Sequence, residues 1–290
     1  MAKYVPDISS RRWVIISSQR LSRPEDKLGK KNKSCPFCPG NEKLTPPEAI
    51  RFGNGEPNSP GWLVRVFPNK YPITDIHEVI VHSPDHTKDL NQLPVKQIKL
   101  ILKAYRDRYN FYRKKGQVII FNNSGLHSGA SLTHPHSQLV VIPSQINLDT
   151  LSREPLNNIV DENKFFIIYC PEFSQWPYEL WISPKMEGLF FGDITDEQIS
   201  DLAGILQKYL KKLEKIYYGH RLTNIPFAYN YYIYPKENWY IRIIPRFIHR
   251  AGFELGTGLS VNIIDPFEAA RELRDQDERL NGVLKKLKKF

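Results

Sequence analysis

One arrangement of apolar residues occurs twice in this chain, and it fixes the kind of architecture available. From His77 to Tyr109 the sequence reads as a short apolar strand ending in Ser83-Pro84, then a loop, then an amphipathic helix. From Tyr178 to Leu210 the same order returns, with Ser183-Pro184 closing the strand. In the first helix the apolar residues are Ile98, Ile101, Leu102, Tyr105 and Tyr109. In the second they are Ile199, Leu202, Ala203, Leu206, Leu210 and Leu213. Both sets follow the i, i+3, i+4, i+7 spacing that gives a helix one buried face. Thr195 and Gln198 form a capping-box pattern at the start of the second helix. Strands follow each helix, at 117–125 and 136–143 and again at 227–235 and 238–247. A strand–helix–strand–strand unit used twice predicts an α+β fold with largely antiparallel sheets. The polar stretch 144–164 has no clear period and marks the seam, so an N-terminal half (1–150) and a C-terminal half (151–290) are expected. Each half alone has few core strands, which predicts that the two pack as one body.

Composition narrows the function classes. The 290 residues are 41% hydrophobic, enough for a substantial core, and carry a formal net charge of +10. A positive excess suits anionic ligands such as phosphate esters, nucleotides or nucleic acid. Part of the charge sits in solvated runs, at 27–33 and 285–289. No apolar stretch approaches 18 residues, so no membrane span is expected. The opening "MAKYVPDISSRRW" lacks the apolar segment of a secretory signal. Three cysteines do not make a disulfide framework, and a reducing cytosol is the expected compartment.

Three local patterns carry chemistry. In "SGASLTHPHSQLVVIP" (128–143), His134, His136 and Gln138 alternate, so on a strand they would share one face. Pro135 between them has no N–H and suits a strand entry or edge. The preceding "NNSGLHSGAS" can turn backbone N–H groups toward an anion. The plainer alternative is a half-exposed strand with polar surface residues. In "KSCPFCPGNE", Cys35-x-x-Cys38 has the spacing of half a tetrahedral zinc site. No second cysteine pair exists, so two histidines among His77, His82, His86, His127, His134 and His136 would have to complete it. The proline-rich surroundings disfavour a thioredoxin-like redox pair. In "RRWVIISSQRLSRPED" (11–26), Arg20 and Arg23 could clamp a phosphate or diphosphate, or could be ordinary solvated arginines.

Taken together, these pieces resemble the galactose-1-phosphate uridylyltransferase family, in the histidine-triad superfamily of nucleotidyl transferases. The matching stretches run nearly the whole chain: "WVIISSQRLSRP", "CPFCPGNE", "VRVFPNKYP", "VHSPDHTK", "FNNSG", "GASLTHPHSQ", "WPYELWISPK" and "RAGFELGTG". The resemblance implies two tandem histidine-triad-like repeats, each an antiparallel sheet with a packed helix, the second degenerate. It implies that His136 is the nucleophile, attacking the α-phosphorus of a nucleotide sugar to give a covalent nucleotidyl-histidine that a second sugar 1-phosphate then resolves. His134 would instead join Cys35, Cys38 and His86 in one structural zinc site per subunit. Gln138 would hydrogen-bond the transferred phosphate, with Ser131 and Gly129 around the same oxygens. Arg20 and Arg23 would contact phosphates, and Asn69, Tyr71 and Asn123 would line the nucleoside and phosphate pocket. Phe253 and Glu254 match residues that reach the hexose from the partner subunit, which implies a homodimer.

The departures carry information too. Lys70 stands where the best-known members have an aspartate near the nucleoside. Arg242 and Ile244 stand where those members have an H-x-H pair for a second metal, so no second metal site is expected. The implied function is exchange of UMP between UDP-glucose and a hexose 1-phosphate, galactose 1-phosphate foremost. The alternative is an ADP-glucose phosphorylase type, also resembled, that moves AMP to inorganic phosphate. A non-catalytic nucleotide or nucleic-acid binding module has only the charge in its favour. Neither nucleic acid nor a membrane is the expected partner.

Overall fold

The computed structural model describes residues 2–7, 12–22, 35–148, 151, 153–220 and 225–275. The first half contributes β1 (Lys3–Pro6), β2 (Trp13–Ile16), β3 (Ile50–Gly53), β4 (Trp62–Pro68), β5 (Ile76–Val81), α1 (Val95–Tyr112), β6 (Gln117–Ser124) and β7 (His136–Ile142). The second contributes β8 (Ile159–Glu162), β9 (Phe166–Tyr169), β10 (Leu180–Pro184), α2 (Asp196–His220), β11 (Tyr229–Ile233), β12 (Ile241–Pro245) and α3 (Gly252–Thr257). β1 and β2 pair with each other. The other ten strands form one sheet in the order β3-β4-β5-β7-β6-β11-β12-β10-β9-β8, every neighbouring pair antiparallel.

That order is symmetric about the β6–β11 junction. β5-α1-β6-β7 on one side corresponds to β10-α2-β11-β12 on the other. Each helix has a further strand pair before it, β3–β4 or β8–β9, which hydropathy periodicity does not reveal. β8 lies inside the polar stretch 144–164 read as the seam. It reads Ile-Val-Asp-Glu, and only Val160 is buried. An edge strand this short and polar leaves no periodic signature.

Both helices cover the same face of the sheet. Ile98, Ile101, Leu102, Tyr105 and Tyr109 of α1 are all buried, as are the six apolar positions expected in α2. They merge with Ile80, Val118, Ile120, Leu139, Ile182, Ile241 and Ile243 into one apolar core that runs through both halves. The capping box forms as read: Gln198 N–H donates to Thr195 Oγ1 at 3.2 Å, and Thr195 N–H to Gln198 Oε1 at 2.8 Å. No described helix is long and apolar enough to cross a membrane.

The opposite face of the sheet carries different chemistry in its two halves. In the first, Phe37, Trp62, Phe67, Val79 and Val81 form a small separate cluster. In the second, Tyr169, Trp181 and Tyr240 do so, with Trp181 and Tyr240 stacked at 4.0 Å. Arg242, on β12, lies buried beside these rings and forms a bidentate pair with Glu179, at 2.7 and 2.8 Å. A guanidinium fixed in this way is a permanent buried cation, unlike the imidazole pair that the resemblance associates with this position.

Candidate active site

β7 enters the sheet between β5 and β6, so its side chains are held by hydrogen-bonded neighbours on both sides. Gln138 stands opposite Val79 of β5 and Phe121 of β6, and His136 opposite Val81. His136 and Gln138 point to the side away from the helices and line one cleft of about 310 Å3. Asn69, Lys70, Tyr71 and Ser131 line the same cleft, and Phe37, Phe67 and Val79 give it apolar walls. This suits a ligand with a flat apolar part and an anionic part.

His134 does not continue the alternation. β7 begins at His136, because Pro135 has no N–H to give a ladder. The His134 ring therefore turns away from the cleft, toward the Cys35–Cys38 loop. Its Nδ1 lies 3.7 Å from Cys35 Sγ and 3.6 Å from Cys38 Sγ, and His86 Nδ1 lies 3.4 Å from Cys38 Sγ. The four ligand atoms all fall within 4.8 Å of one another. With zinc–sulfur bonds of about 2.3 Å and zinc–nitrogen bonds of about 2.05 Å, a tetrahedron has sulfur–nitrogen edges of about 3.6 Å. The observed separations match that edge, and two thiols with two imidazoles are a donor set zinc favours. Burial holds His134 down to about 4, so the ring is neutral and its Nδ1 lone pair available. Its Nε2–H donates to the Ser83 carbonyl at 2.9 Å, which fixes that tautomer. Burial also pushes the Cys35 thiol up to about 12, a cost that a cation between the sulfurs would offset.

Local structure explains why this cluster closes. Phe37 N–H donates to Cys35 Sγ at 3.4 Å and Asn41 Nδ2 to the Cys35 carbonyl at 2.8 Å, folding the loop into a knuckle. Asp85 Oδ1 accepts from the Thr87 and Lys88 N–H groups at 2.9 and 3.1 Å, holding the turn that carries His86. The Phe37 ring meets both the His134 and the His136 rings edge-on, at 6.2 and 5.1 Å. The cysteine knuckle is thereby packed directly against the cleft.

His136 is oriented by its own chain. Its Nδ1 lies 2.9 Å from the His134 carbonyl, an acceptor only, so Nδ1 carries a proton and the neutral ring has its lone pair on Nε2. Behind β7, Asn122 Nδ2 donates to the His136 carbonyl at 2.8 Å. Ser137, on the helix side, joins the hydroxyls of Tyr105 and Tyr231 and His82 Nε2 in a buried network. His82, also a candidate metal ligand by sequence, is committed to that network.

The loop after β6 runs through Gly125 and Gly129, both left-handed at φ 79° and 81°. A Cβ on Gly125 would sit 2.8 Å from the Ala228 Cβ, so only glycine fits. Asn230 Nδ2 ties this loop down, donating to the Ser128 carbonyl at 2.9 Å and to Asn123 Oδ1 at 2.7 Å. Asn123 and Gly129 thus belong to the loop's framework and do not line the cleft wall. Arg20 Nη1 donates to the Tyr71 carbonyl at 3.2 Å, which sets its guanidinium beside the cleft's rim. Arg23 lies outside the described residues. Phe253 and Glu254 stand on α3, where Glu254 Oε2 caps Ala251 N–H at 3.0 Å and Phe253 is exposed, and this chain does not bring them to its own cleft.

Sequence reasoning missed three parts of this site. Phe37 and Phe67 are its apolar walls, hidden inside motifs that were read only for their polar residues. His77 was weighed as a metal ligand, yet its Nε2 lies 2.9 Å from Gln138 Oε1. Its alternation with Val79 on β5 was the available signal. Asn230 gave none, because its partners lie more than a hundred positions away.

Residues 70–142 match the galactose-1-phosphate uridyl transferase N-terminal domain. The chain is 29% identical to an ADP-glucose phosphorylase of Arabidopsis thaliana, covering 93% of this chain and 91% of that one. It is 25% identical to a galactose-1-phosphate uridylyltransferase of Thermotoga maritima, covering 91% and 95%. Its fold superimposes on the crystal structure of an Arabidopsis thaliana ADP-glucose phosphorylase with bound ADP-glucose, with a TM-score of 0.71 at 26% identity, covering 94% and 99%. With an oriented histidine in a cleft and a Cys2His2 cluster behind it, the chain is similar in sequence and in fold to the galactose-1-phosphate uridylyltransferase family.

Proposed function

We propose that this protein is a nucleotidyltransferase that exchanges UMP between UDP-glucose and a hexose 1-phosphate, with galactose 1-phosphate the acceptor, by a ping-pong route through His136. The observation that carries this reading is the Nδ1–H of His136 held by the His134 carbonyl. Nε2 attacks the α-phosphorus, and the phosphorus–oxygen bond to glucose 1-phosphate breaks with its electron pair on the leaving oxygen. As positive charge grows on the ring, the His134 carbonyl is already placed to accept from Nδ1–H. The acceptor's phosphate oxygen then attacks the same phosphorus, and the pair returns to Nε2. Gln138 and Ser131 hold the transferred phosphate. Gly129, Asn123, Arg20 and Arg23 shape its anionic surroundings, while Asn69 and Tyr71 hold the nucleoside.

Cys35, Cys38, His86 and His134 would hold a structural zinc, which would cross-link the N-terminal loop to the entry to β7. The halves 1–150 and 151–290 are the active and the degenerate repeat. The hexose pocket is completed by Phe253 and Glu254 of a second subunit, a reading supported by the exposed apolar residues Trp13, Val14, Phe253 and Leu255. A cytoplasmic location is supported by the three free cysteines.

A second reading is favoured by two observations. The match to ADP-glucose phosphorylase has the higher identity of the two relatives, and Lys70 lines the cleft. That reading makes AMP the transferred group and inorganic phosphate the acceptor. Intact-mass measurement after mixing the protein with UDP-glucose or ADP-glucose separates them. A UMP increment mapping to the His136 peptide is expected; an AMP increment alone establishes the second reading. No adduct with either donor, or an adduct that persists in His136→Ala, overturns both.

A further inference from the structure

We propose that His77 is a positioning residue that aims the Gln138 amide at the transferred phosphate and couples that amide to the Asn69–Tyr71 loop. The proposal rests on the reading of Gln138 as a phosphate donor.

His77 Nε2 lies between two side chains, Gln138 Oε1 at 2.9 Å and Asn69 Nδ2 at 3.1 Å, and Nδ1 faces a backbone amide. Ile73 N–H donates to His77 Nδ1 at 2.9 Å. A backbone amide can only donate, so Nδ1 is an acceptor and carries no proton. The ring is therefore neutral with its proton on Nε2. Nε2 lies 2.9 Å from Gln138 Oε1, which must accept. The carboxamide is held with its oxygen toward His77, and its NH2 becomes the end that the cleft can use. A Gln138 rotated by half a turn would present an oxygen to a phosphate and repel it. His77 disfavours that rotamer: the Asn69 NH2 beside Nε2 can only donate, so Gln138 Oε1 is the acceptor that Nε2–H meets, and a flipped amide would leave it facing two donors.

The sheet sets this pair up. His77 stands opposite Val140 and Gln138 opposite Val79, so the two side chains are diagonal neighbours on one face. Both are buried, His77 at 4% and Gln138 at 5% exposure, so water does not compete for the bond. His77 also anchors the loop that precedes it. Asn69 N–H donates to the His77 carbonyl at 2.7 Å, and Asn69 Oδ1 accepts from Tyr71 N–H at 2.8 Å. One residue thus holds both the loop lining the nucleoside end of the cleft and the donor at its phosphate end.

Two substitutions divide the functions of the imidazole. Asparagine places an acceptor near the Nδ1 position but reaches no farther, so His77→Asn keeps the Ile73 bond and loses Gln138. Glutamine places an amide near the Nε2 position, so His77→Gln keeps the donor to Gln138. The measurement is single-turnover formation of the nucleotidyl-enzyme over a range of UDP-glucose and, in parallel, ADP-glucose concentrations, with thermal melting of each variant. His77→Asn is expected to slow the chemical step about tenfold or more while the apparent donor affinity changes little. His77→Gln is expected to recover most of that rate. His77→Asn/Gln138→Ala is expected to be no slower than Gln138→Ala alone. A double variant slowed by the product of the two single effects overturns the proposal and leaves the role of Gln138 intact. So does a His77→Gln enzyme as slow as His77→Asn at equal melting temperature. A Gln138→Ala enzyme that transfers at the parent rate removes the phosphate role of Gln138, and this proposal with it.

Discussion

An imidazole serves as a nucleophile only when one nitrogen is committed to a proton and the other is not. Here the commitment is made by backbone: the His134 carbonyl takes Nδ1–H of His136, and the Ser83 carbonyl takes Nε2–H of His134. Opposite nitrogens are protonated in two rings two residues apart, so one presents Nε2 to the cleft and the other Nδ1 to the sulfurs. The motif made both histidines legible in the sequence, as well as Gln138. It could not show that the rings diverge, because divergence follows from where Pro135 stops the ladder. Tautomers, too, are written only in partners that folding supplies, and so His77 went unread. The metal cluster gives a test at this scale. Cys35→Ser removes a soft ligand and weakens the knuckle that packs Phe37 against His136. Zinc content measured by plasma mass spectrometry should fall well below one per chain, and the melting temperature should fall with it. A variant that keeps its zinc stoichiometry would refute the ligand set.

Between elements, polar side chains do much of the aligning. Glu78 of β5 is buried on the helix side, where Arg108 of α1 donates to it from Nε at 2.8 Å and from Nη2 at 2.6 Å. Tyr112 adds a third bond at 2.8 Å. The strand carrying Glu78 also carries Val79, which lines the cleft, and His77, which bonds Gln138, so this pair fixes α1 relative to the site's floor. Removing one partner leaves a buried charge. Glu78→Ala should cost about 3–5 kcal/mol in denaturant unfolding, whereas Glu78→Leu with Arg108→Met should recover most of it. A loss below about 1 kcal/mol for the single substitution would show that the pair behaves as an exposed one. The helices were legible because 18 and 25 residues give many turns of periodicity. β3, β8 and β9 span four residues each, too few for a period of two to stand out.

At the scale of the whole molecule, the sheet is continuous across the β6–β11 junction and the core does not divide there. Tyr105 of α1 and Tyr231 of β11 share a hydroxyl bond at 2.6 Å, tying the second half to the buried network beneath Ser137. The sequence periodicity signalled two units but not their junction, since Asn123 and Asn230 meet only once the sheet has formed. One core implies one unfolding event. Trp239 tests this because it is buried at 2% exposure against Phe166 and Phe191, in the half that carries no cysteine knuckle. Trp239→Ala leaves a large cavity and should cost about 3–5 kcal/mol. If the halves are one cooperative body, calorimetry will show a single transition at a lower temperature, and release of zinc to a chromogenic chelator will move down with it by the same interval. If the halves are thermodynamically separate, two transitions will appear, and zinc release will stay where it is in the parent protein. The second outcome would mean that the knuckle and the nucleophile depend only on the first five strands of the sheet, and that the second half contributes to the site through its surface alone.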